Sequence, residues 1–541
     1  MRTLCLLLAL LMLAGCAAPG SGAASEPTEA AVISGDLEAI HALGESPDDN
    51  YRTFYEIFVY SFRDSDGDGI GDLAGVTSKL DYLQDLGITG IWLMPIHPSP
   101  SYHKYDVEDY YAIHPDYGTM EDFETLLTEC HKRNIRVITD LVLNHTGIDH
   151  PWFHTTAEYL AALAPGQEPD VSVCPEAGYY HFAREEQTGF HAVPGAEGWY
   201  YEGRFSPQMP DVNYGSQGLR QEFREIMEFW LQKGVDGFRL DAAKEFYSGQ
   251  TSKNLEVLGW IQETATSIKP DCYLVAEVWD GFTSLTEYYK SDITSLFNFA
   301  FGDSDGKISK VLRGAGNPTM VQSYAQAQEK ADRAFRASNP DYIDAPFFSN
   351  HDVGRIAGFV GRDPMKTKLA GAMNIFMGGS AFIYYGEEIG MVCGALDDPS
   401  YRAPMVWNQA GDSGTTQPPP GCTVPDSYPF GSLEVQEKDQ DSIYHYYRKA
   451  IAIRNAIPAI ARGIPTEEKP LNQGVVSATR KTWGEKSCLI LMNISGETET
   501  VDLSGYPDWT LAASLSANGG EIGLNEGTLN LPAFGTAILI P

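Results

Sequence analysis

The run Gly237-Phe238-Arg239-Leu240-Asp241-Ala242-Ala243-Lys244-Glu245 ends a strand-like stretch on an arginine two residues before an aspartate. Residues i and i+2 of a strand share a face, so the Arg239 guanidinium sits beside the Asp241 carboxylate and keeps it ionised. A permanently charged carboxylate is what a covalent nucleophile needs. Two further acids close similar runs: Glu277 ends Cys272-Tyr273-Leu274-Val275-Ala276-Glu277, and Asp352 ends Phe347-Phe348-Ser349-Asn350-His351-Asp352. A single strand-end acid is usually a solvated surface group. Three, each with aromatic, histidine or arginine neighbours, point to one site at the ends of several strands.

Outward from these acids, short apolar runs alternate with helical patterns from about residue 50 onward, the signature of parallel βα units. Eight strand candidates cover residues 55–61, 90–95, 136–143, 237–241, 273–277, 295–299, 345–348 and 381–385. Between them, Val76, Leu80 and Leu83, then Phe123, Leu126, Leu127 and Cys130, then Leu219, Phe223, Ile226, Met227 and Trp230 recur at helical spacing. Eight strands each leading to a helix predict an α/β fold, a (β/α)8 barrel, with function gathered at the C-terminal ends of the strands. Residues 147–206, rich in Pro, Gly, Tyr and His, are too long for a loop and read as a subdomain inserted after the third strand. After a last helix over 444–462 the pattern changes to short alternating strands. The barrel therefore takes 49–146 and 207–463, and 464–541 forms a separate antiparallel β-sandwich.

Composition sets the class of partner. The formal charge of -35, from 38 basic and 73 acidic residues, repels phosphate backbones and makes nucleic acid an unsuitable partner. At the N-terminus, Arg2 precedes an apolar run from Leu4 to Leu13, too short to span a bilayer, and then Leu13-Ala14-Gly15-Cys16. This resembles a bacterial lipoprotein signal, which implies loss of residues 1–15, a lipid on Cys16, and a flexible tether over 16–48. The expected location is the cell surface or envelope, with the membrane met only through that lipid, and the expected state a monomer. No CxxC pair argues for a cysteine metal site. Cys393 and Cys422 share one long loop region, and the sequence leaves open whether they are bridged.

The motifs Asp140-Leu141-Val142-Leu143-Asn144-His145, Met209-Pro210-Asp211-Val212-Asn213, Gly237 to Glu245, Ala276-Glu277-Val278-Trp279 and Phe348-Ser349-Asn350-His351-Asp352 occur in that order. Through them the chain resembles the α-amylase superfamily, glycoside hydrolase family 13, from residue 50 to the end. The resemblance implies Asp241 as nucleophile, Glu277 as general acid and then base, and Asp352 as the carboxylate that stabilises the transition state. It implies that Arg239 orients Asp241, and that His145 and His351 donate to hydroxyls of the sugar being cleaved. Tyr105 matches the ring that stacks under that sugar, and His103 a neighbouring contact. Lys104 stands where the family more often has a small residue, and Asp106 resembles a carboxylate used by exo-acting α-glucosidases. Lys244 is a candidate contact to the leaving-group sugar. Arg402, which opens Arg402-Ala403-Pro404-Met405-Val406-Trp407, is a further substrate contact of the kind seen in α-glucosidases and neopullulanases. Retention requires two carboxyl groups about 5 Å apart, one of them protonated near neutral pH, so burial and neighbouring acids should raise Glu277.

In Asp64-Ser65-Asp66-Gly67-Asp68-Gly69-Ile70-Gly71-Asp72, acids alternate with glycines so that a short loop can wrap a hard cation. It looks like the calcium loop of oligo-1,6-glucosidases and some amylases, with Asp64, Asp66, Asp68, the Ile70 carbonyl and Asp72 as ligands. A second calcium in many α-amylases uses the asparagine matching Asn144 and a histidine where this chain has Glu245, which could itself be a ligand. The expected activity is endo-acting, retaining hydrolysis of α-1,4 bonds in starch, glycogen and maltooligosaccharides. The alternatives are an exo-acting α-glucosidase, oligo-1,6-glucosidase or neopullulanase, and, more remotely, a glucan-binding lipoprotein without catalysis.

Overall fold

The computed structural model of the protein describes residues 49–541. The predicted leader, tether and Cys16 lie outside the described residues. Seven parallel strands, β1 (Thr53–Ile57), β2 (Gly90–Leu93), β3 (Arg136–Leu141), β4 (Gly237–Leu240), β5 (Tyr273–Ala276), β6 (Ser295–Leu296) and β7 (Ala381–Tyr384), pair in the order β7-β1-β2-β3-β4-β5-β6. Residues 344–348 close the ring between β6 and β7: Phe297 bridges Ala345, Ser380 N donates to the Asp344 carbonyl at 2.7 Å, and Phe382 N to the Pro346 carbonyl at 2.8 Å. The strand expected over 345–348 is thus reduced to a bridge. Pro346 has no N–H to offer a ladder, so it can only accept. The first strand is also shorter than the expected 55–61, because Val59–Phe62 turns into a helix.

Side-chain parity sorts the barrel interior by polarity. On β1, Phe54 and Glu56 share a face; on β3, Ile138 and Asp140; on β5, Tyr273 and Val275, followed by Glu277. The lower members, Phe54, Trp92, Ile138, Tyr273 and Phe382, form one apolar cluster. Phe54 stacks on Phe382 and Tyr273 at centroid distances of 4.9 and 5.2 Å. The upper members are charged. Gly237 is required below them, since a Cβ there would lie 1.9 Å from the Tyr273 carbonyl oxygen. The barrel therefore has a packed hydrocarbon floor that lifts its acids to the C-terminal mouth.

The amphipathic faces expected for Met120–Lys132 and Gln217–Lys233 are buried as read, the first helix held by a capping box between Thr119 and Asp122. The Val76, Leu80 and Leu83 stripe is split between two short helices, Leu73–Thr77 and Leu80–Leu86. The insertion carries helix Pro151–Ala162 and a small antiparallel sheet of Phe182–Ala183, Tyr200–Glu202 and Phe190–Ala192. Bridges His145 to Asp211 and Tyr180 to Val212 stitch it back to the barrel. Beyond residue 463, a five-stranded and a three-stranded antiparallel sheet enclose their own core of Val476, Leu489, Leu491, Leu529 and Leu539.

Candidate active site

The register of β3, β4 and β5 sets Asp140 opposite Arg239 and Arg239 opposite Val275, one step below Glu277. Arg239 is buried, and its guanidinium lies 2.9 Å from Asp140, 2.5 Å from Asp241 and 3.1 Å from Glu277. Asp241 and Glu277 thus stand side by side against one cation. Immediately after Asp241, Ala242 takes φ 46°, a left-handed conformation that costs a non-glycine residue about 1–2 kcal/mol. The turn aims Ala242 N–H at Glu277 Oε2, 3.1 Å away. Burial pushes the Glu277 carboxyl up to about 7; Arg239 pulls it down, and Asp241 and Asp352 push it further up. A carboxyl poised there keeps its proton in about half of the molecules at neutral pH, so a proton donor to a leaving oxygen is available.

Asp352 has the opposite setting. Burial alone would raise it, but His351 Nε2 at 2.9 Å and Arg402 at 2.8 Å outweigh burial and hold it well below the usual carboxylate range. His351 is fully buried, and its Nδ1 lies 2.6 Å from Glu56 Oε1 on β1. Burial would lower this imidazole, yet the carboxylates of Asp352 and Glu56 raise it to about 9, so it is an imidazolium at neutral pH. Tyr105 ties the two halves together: its hydroxyl lies 2.6 Å from His351 Nε2 and donates to Asp140 Oδ2 at 3.1 Å.

Above these groups opens a cavity of about 460 Å³, lined by Asp241, Glu277, Asp352, Tyr105, His103, His145 and Arg402. Phe205 and Met209 from the insertion and its return, and Trp279 beyond β5, complete the wall. His145 and His103 are both driven toward the neutral form by burial, His103 to about 4. The His145 ring lines the cavity, and its Nε2 is buried without a hydrogen-bond partner. Lys104 takes a positive φ of 65°, a conformation that glycine adopts at lower cost.

Three expected sugar contacts fall outside this cavity, the first being His351, which is fully buried with Nδ1 on Glu56 and Nε2 between Asp352 and Tyr105. Asp106 is buried and turned to Ser99 Oγ at 2.5 Å and to Ser101 Oγ, and does not line the cavity wall. Its carboxylate is consumed locally, fixing the loop that carries Tyr105. Lys244 pairs with Asp280 at 2.9 Å on the exposed rim. Sequence reading assigned no role to Glu56, Asp140 or Trp279. An acid two residues beyond Phe54 in an otherwise apolar strand was the signal available for Glu56.

Of the acidic loop, Asp64, Asp66 and Asp72 bring ligand oxygens within 4.8 Å of one another, two of the three being buried. Asp68 lies outside this group and accepts from Ile70 N at 2.7 Å. Glu245 is not gathered into any such group of acids, histidines and cysteines among the described residues. Asn144 Nδ2 donates to Asp211 Oδ1 at 3.2 Å. Glu245 shares a cavity with Arg204 and Lys253, and Arg204 pairs with Glu202 at 2.9 Å.

A (β/α)8 barrel with a proton-holding Glu277, an ionised Asp352 and Asp241 converging at its mouth defines a barrel glycosidase. Residues 56–463 match the α-amylase catalytic domain, and the chain belongs to the α-amylase family. It is 40% identical to alpha-amylase 3 of Dictyoglomus thermophilum over 84% of this chain and 87% of that protein. The solved structure of Eubacterium rectale Amy13B superposes with a TM-score of 0.89 at 42% identity, over 93% of this chain and 98% of that one. The oligo-1,6-glucosidase of Bacillus cereus is 28% identical over 82% of this chain and 90% of its own length.

Glu56→Gln removes the anion that helps keep His351 charged. In the wild type, activity should fall as pH rises through about 7, where Glu277 loses its proton. In the variant the buried imidazole should lose its proton at lower pH than in the wild type, read directly by NMR titration of the His351 ring. An unchanged His351 titration would show that Glu56 serves only packing.

Proposed function

We propose that the protein is a retaining, endo-acting α-amylase that hydrolyses α-1,4-glucosidic bonds within starch, glycogen and maltooligosaccharides. The observation that carries this reading is the open end of the site: Asp352 and Trp279 line both the catalytic cavity and a second cavity of about 690 Å³ beside it. An exo-acting enzyme closes the site beyond one terminal sugar. Asp106, the acid that resembled such a closing group, is turned into the protein.

In the proposed cycle Asp241 attacks the anomeric carbon while Glu277 gives its proton to the departing glycosidic oxygen, leaving a glycosyl ester on Asp241. Glu277, now a carboxylate, takes a proton from water, whose oxygen attacks the same carbon and frees Asp241. Two displacements retain configuration. Asp352, ionised by His351 and Arg402, offers a fixed negative charge to sugar hydroxyls and to the oxocarbenium-like transition state. Tyr105 presents its ring to the sugar face.

The acidic loop supports a calcium ion held by Asp64, Asp66 and Asp72, hard oxygen donors that would lock the turn after β1. The Leu13-Ala14-Gly15-Cys16 motif supports export and a lipid anchor on Cys16.

Asp241→Asn should lower kcat by a factor on the order of 10⁴ with the fold intact by circular dichroism; undiminished turnover would overturn the nucleophile. On soluble starch, iodine staining should vanish early while maltooligosaccharides of mixed length appear. Glucose as the sole early product, with staining persisting, would mean an α-glucosidase instead. Chelation should lower the thermal midpoint by a few degrees, calcium should restore it, and Asp64→Asn should respond to neither.

A further inference from the structure

The wall of the second cavity contains Val392, Cys393, Gly394, Ala395 and Leu396. Of the six cysteines among the described residues, Cys130, Cys174, Cys272 and Cys488 are buried, and only Cys393 and Cys422 are partly exposed; all six are free thiols. These two lie on separate loops that meet backbone to backbone. A Cβ added to Gly394 would lie 2.1 Å from the Thr423 carbonyl oxygen and 2.8 Å from the Val424 carbonyl carbon. The residues following the two cysteines are therefore in direct contact. Thr423 N also donates to Ser400 Oγ at 2.9 Å, and Gly421 packs against Pro399, which fixes the second loop beside the first. Both thiols share the fields of Arg355 and Asp397, and the Cys422 thiol feels Cys393.

Glycine at 394 is what permits this approach, since any side chain there would force the loops apart. A disulfide needs Cα atoms within about 7 Å, a separation compatible with neighbouring residues in backbone contact. We propose that Cys393 and Cys422 form a reversible disulfide that staples the cavity-wall loop to the loop over 418–424. The step is thiol–disulfide exchange with a small-molecule disulfide. The Cys422 thiolate attacks one sulfur, releasing one thiol and leaving a mixed disulfide. The Cys393 thiolate then displaces the second thiol, so that two protein thiols are oxidised, one disulfide is reduced and two protons pass to the released thiolates. Burial raises both thiols, Cys422 to about 11, so the exchange is slow at neutral pH and quickens as pH rises.

Trypsin separates the two cysteines, because Arg402 ends the peptide 369–402 and Lys438 ends 403–438. The full-length protein is incubated with oxidised glutathione, its remaining thiols are alkylated, and the digest is mapped by mass spectrometry without reduction. The expected result is a species joining 369–402 to 403–438, abolished by dithiothreitol and absent from Cys393→Ser. Oxidation should also raise the thermal midpoint of the wild type by about 2–4 °C, and of Cys393→Ser not at all. Recovery of the two peptides unlinked, each glutathionylated or alkylated alone, would overturn the proposal, as would a link from either cysteine to another.

Discussion

A single buried guanidinium organises the mouth of the barrel. Arg239 is 1% exposed and touches Asp140, Asp241 and Glu277. Removing an ion from water into such a place costs several kcal/mol, offset only where the counter-charges and hydrogen bonds are well placed. The barrel supplies that placement, because the residues come from three consecutive hydrogen-bonded strands whose register is fixed by the apolar layer beneath. Loss of the cation would leave up to three carboxylates facing one another in a medium that screens poorly. The acids can converge because Arg239 is there, and Arg239 tolerates burial because the acids are.

A second circuit, Glu56, His351, Asp352 and Arg402, sits across the cavity from the first and has the opposite outcome. In the first, one cation shared among several acids leaves Glu277 under-compensated and proton-holding. In the second, an imidazolium and a guanidinium converge on Asp352 and keep it charged. Carboxyl groups lining one cavity are thus driven to different protonation states by how many cations each faces. This division is what acid catalysis beside charge stabilisation requires.

Strand parity was legible in the sequence because it is local: Arg239 beside Asp241, and Glu277 and Asp352 closing their runs, need only a period of two. Asp106 shows where locality fails. Its motif placed it near the sugar, but two serines a few residues upstream capture its carboxylate, and that outcome depends on a loop path no periodicity encodes. Glu56 failed for the converse reason. Nothing around it in sequence is charged, and its meaning comes from His351, 295 positions away. The segment over 345–348 illustrates a weaker signal, since its apolar pattern is real while Pro346 removes the donor a ladder needs.

The division of labour between strands and loops also accounts for the mixture of amylases and glucosidases among the chain's relatives. The acids that break the bond stand at strand ends, where register ties each one to several others, and a change in any disturbs the rest. The walls that decide how much glucan fits are loops: the insertion through Phe205, the turn carrying Trp279, and the segments around Phe359 and Leu396. These loops bear little on the ion pairs, so their length and composition can vary without moving the carboxylates. Leu396, 83% exposed, and Trp279, 48% exposed and stacked at 5.3 Å on Phe299, present apolar surface to the open end of the groove. Surface of that kind has no role in the chemistry at Asp241. It suits the apolar faces of glucosyl units extending beyond the cleaved bond, so chain-length preference can change while the reaction does not.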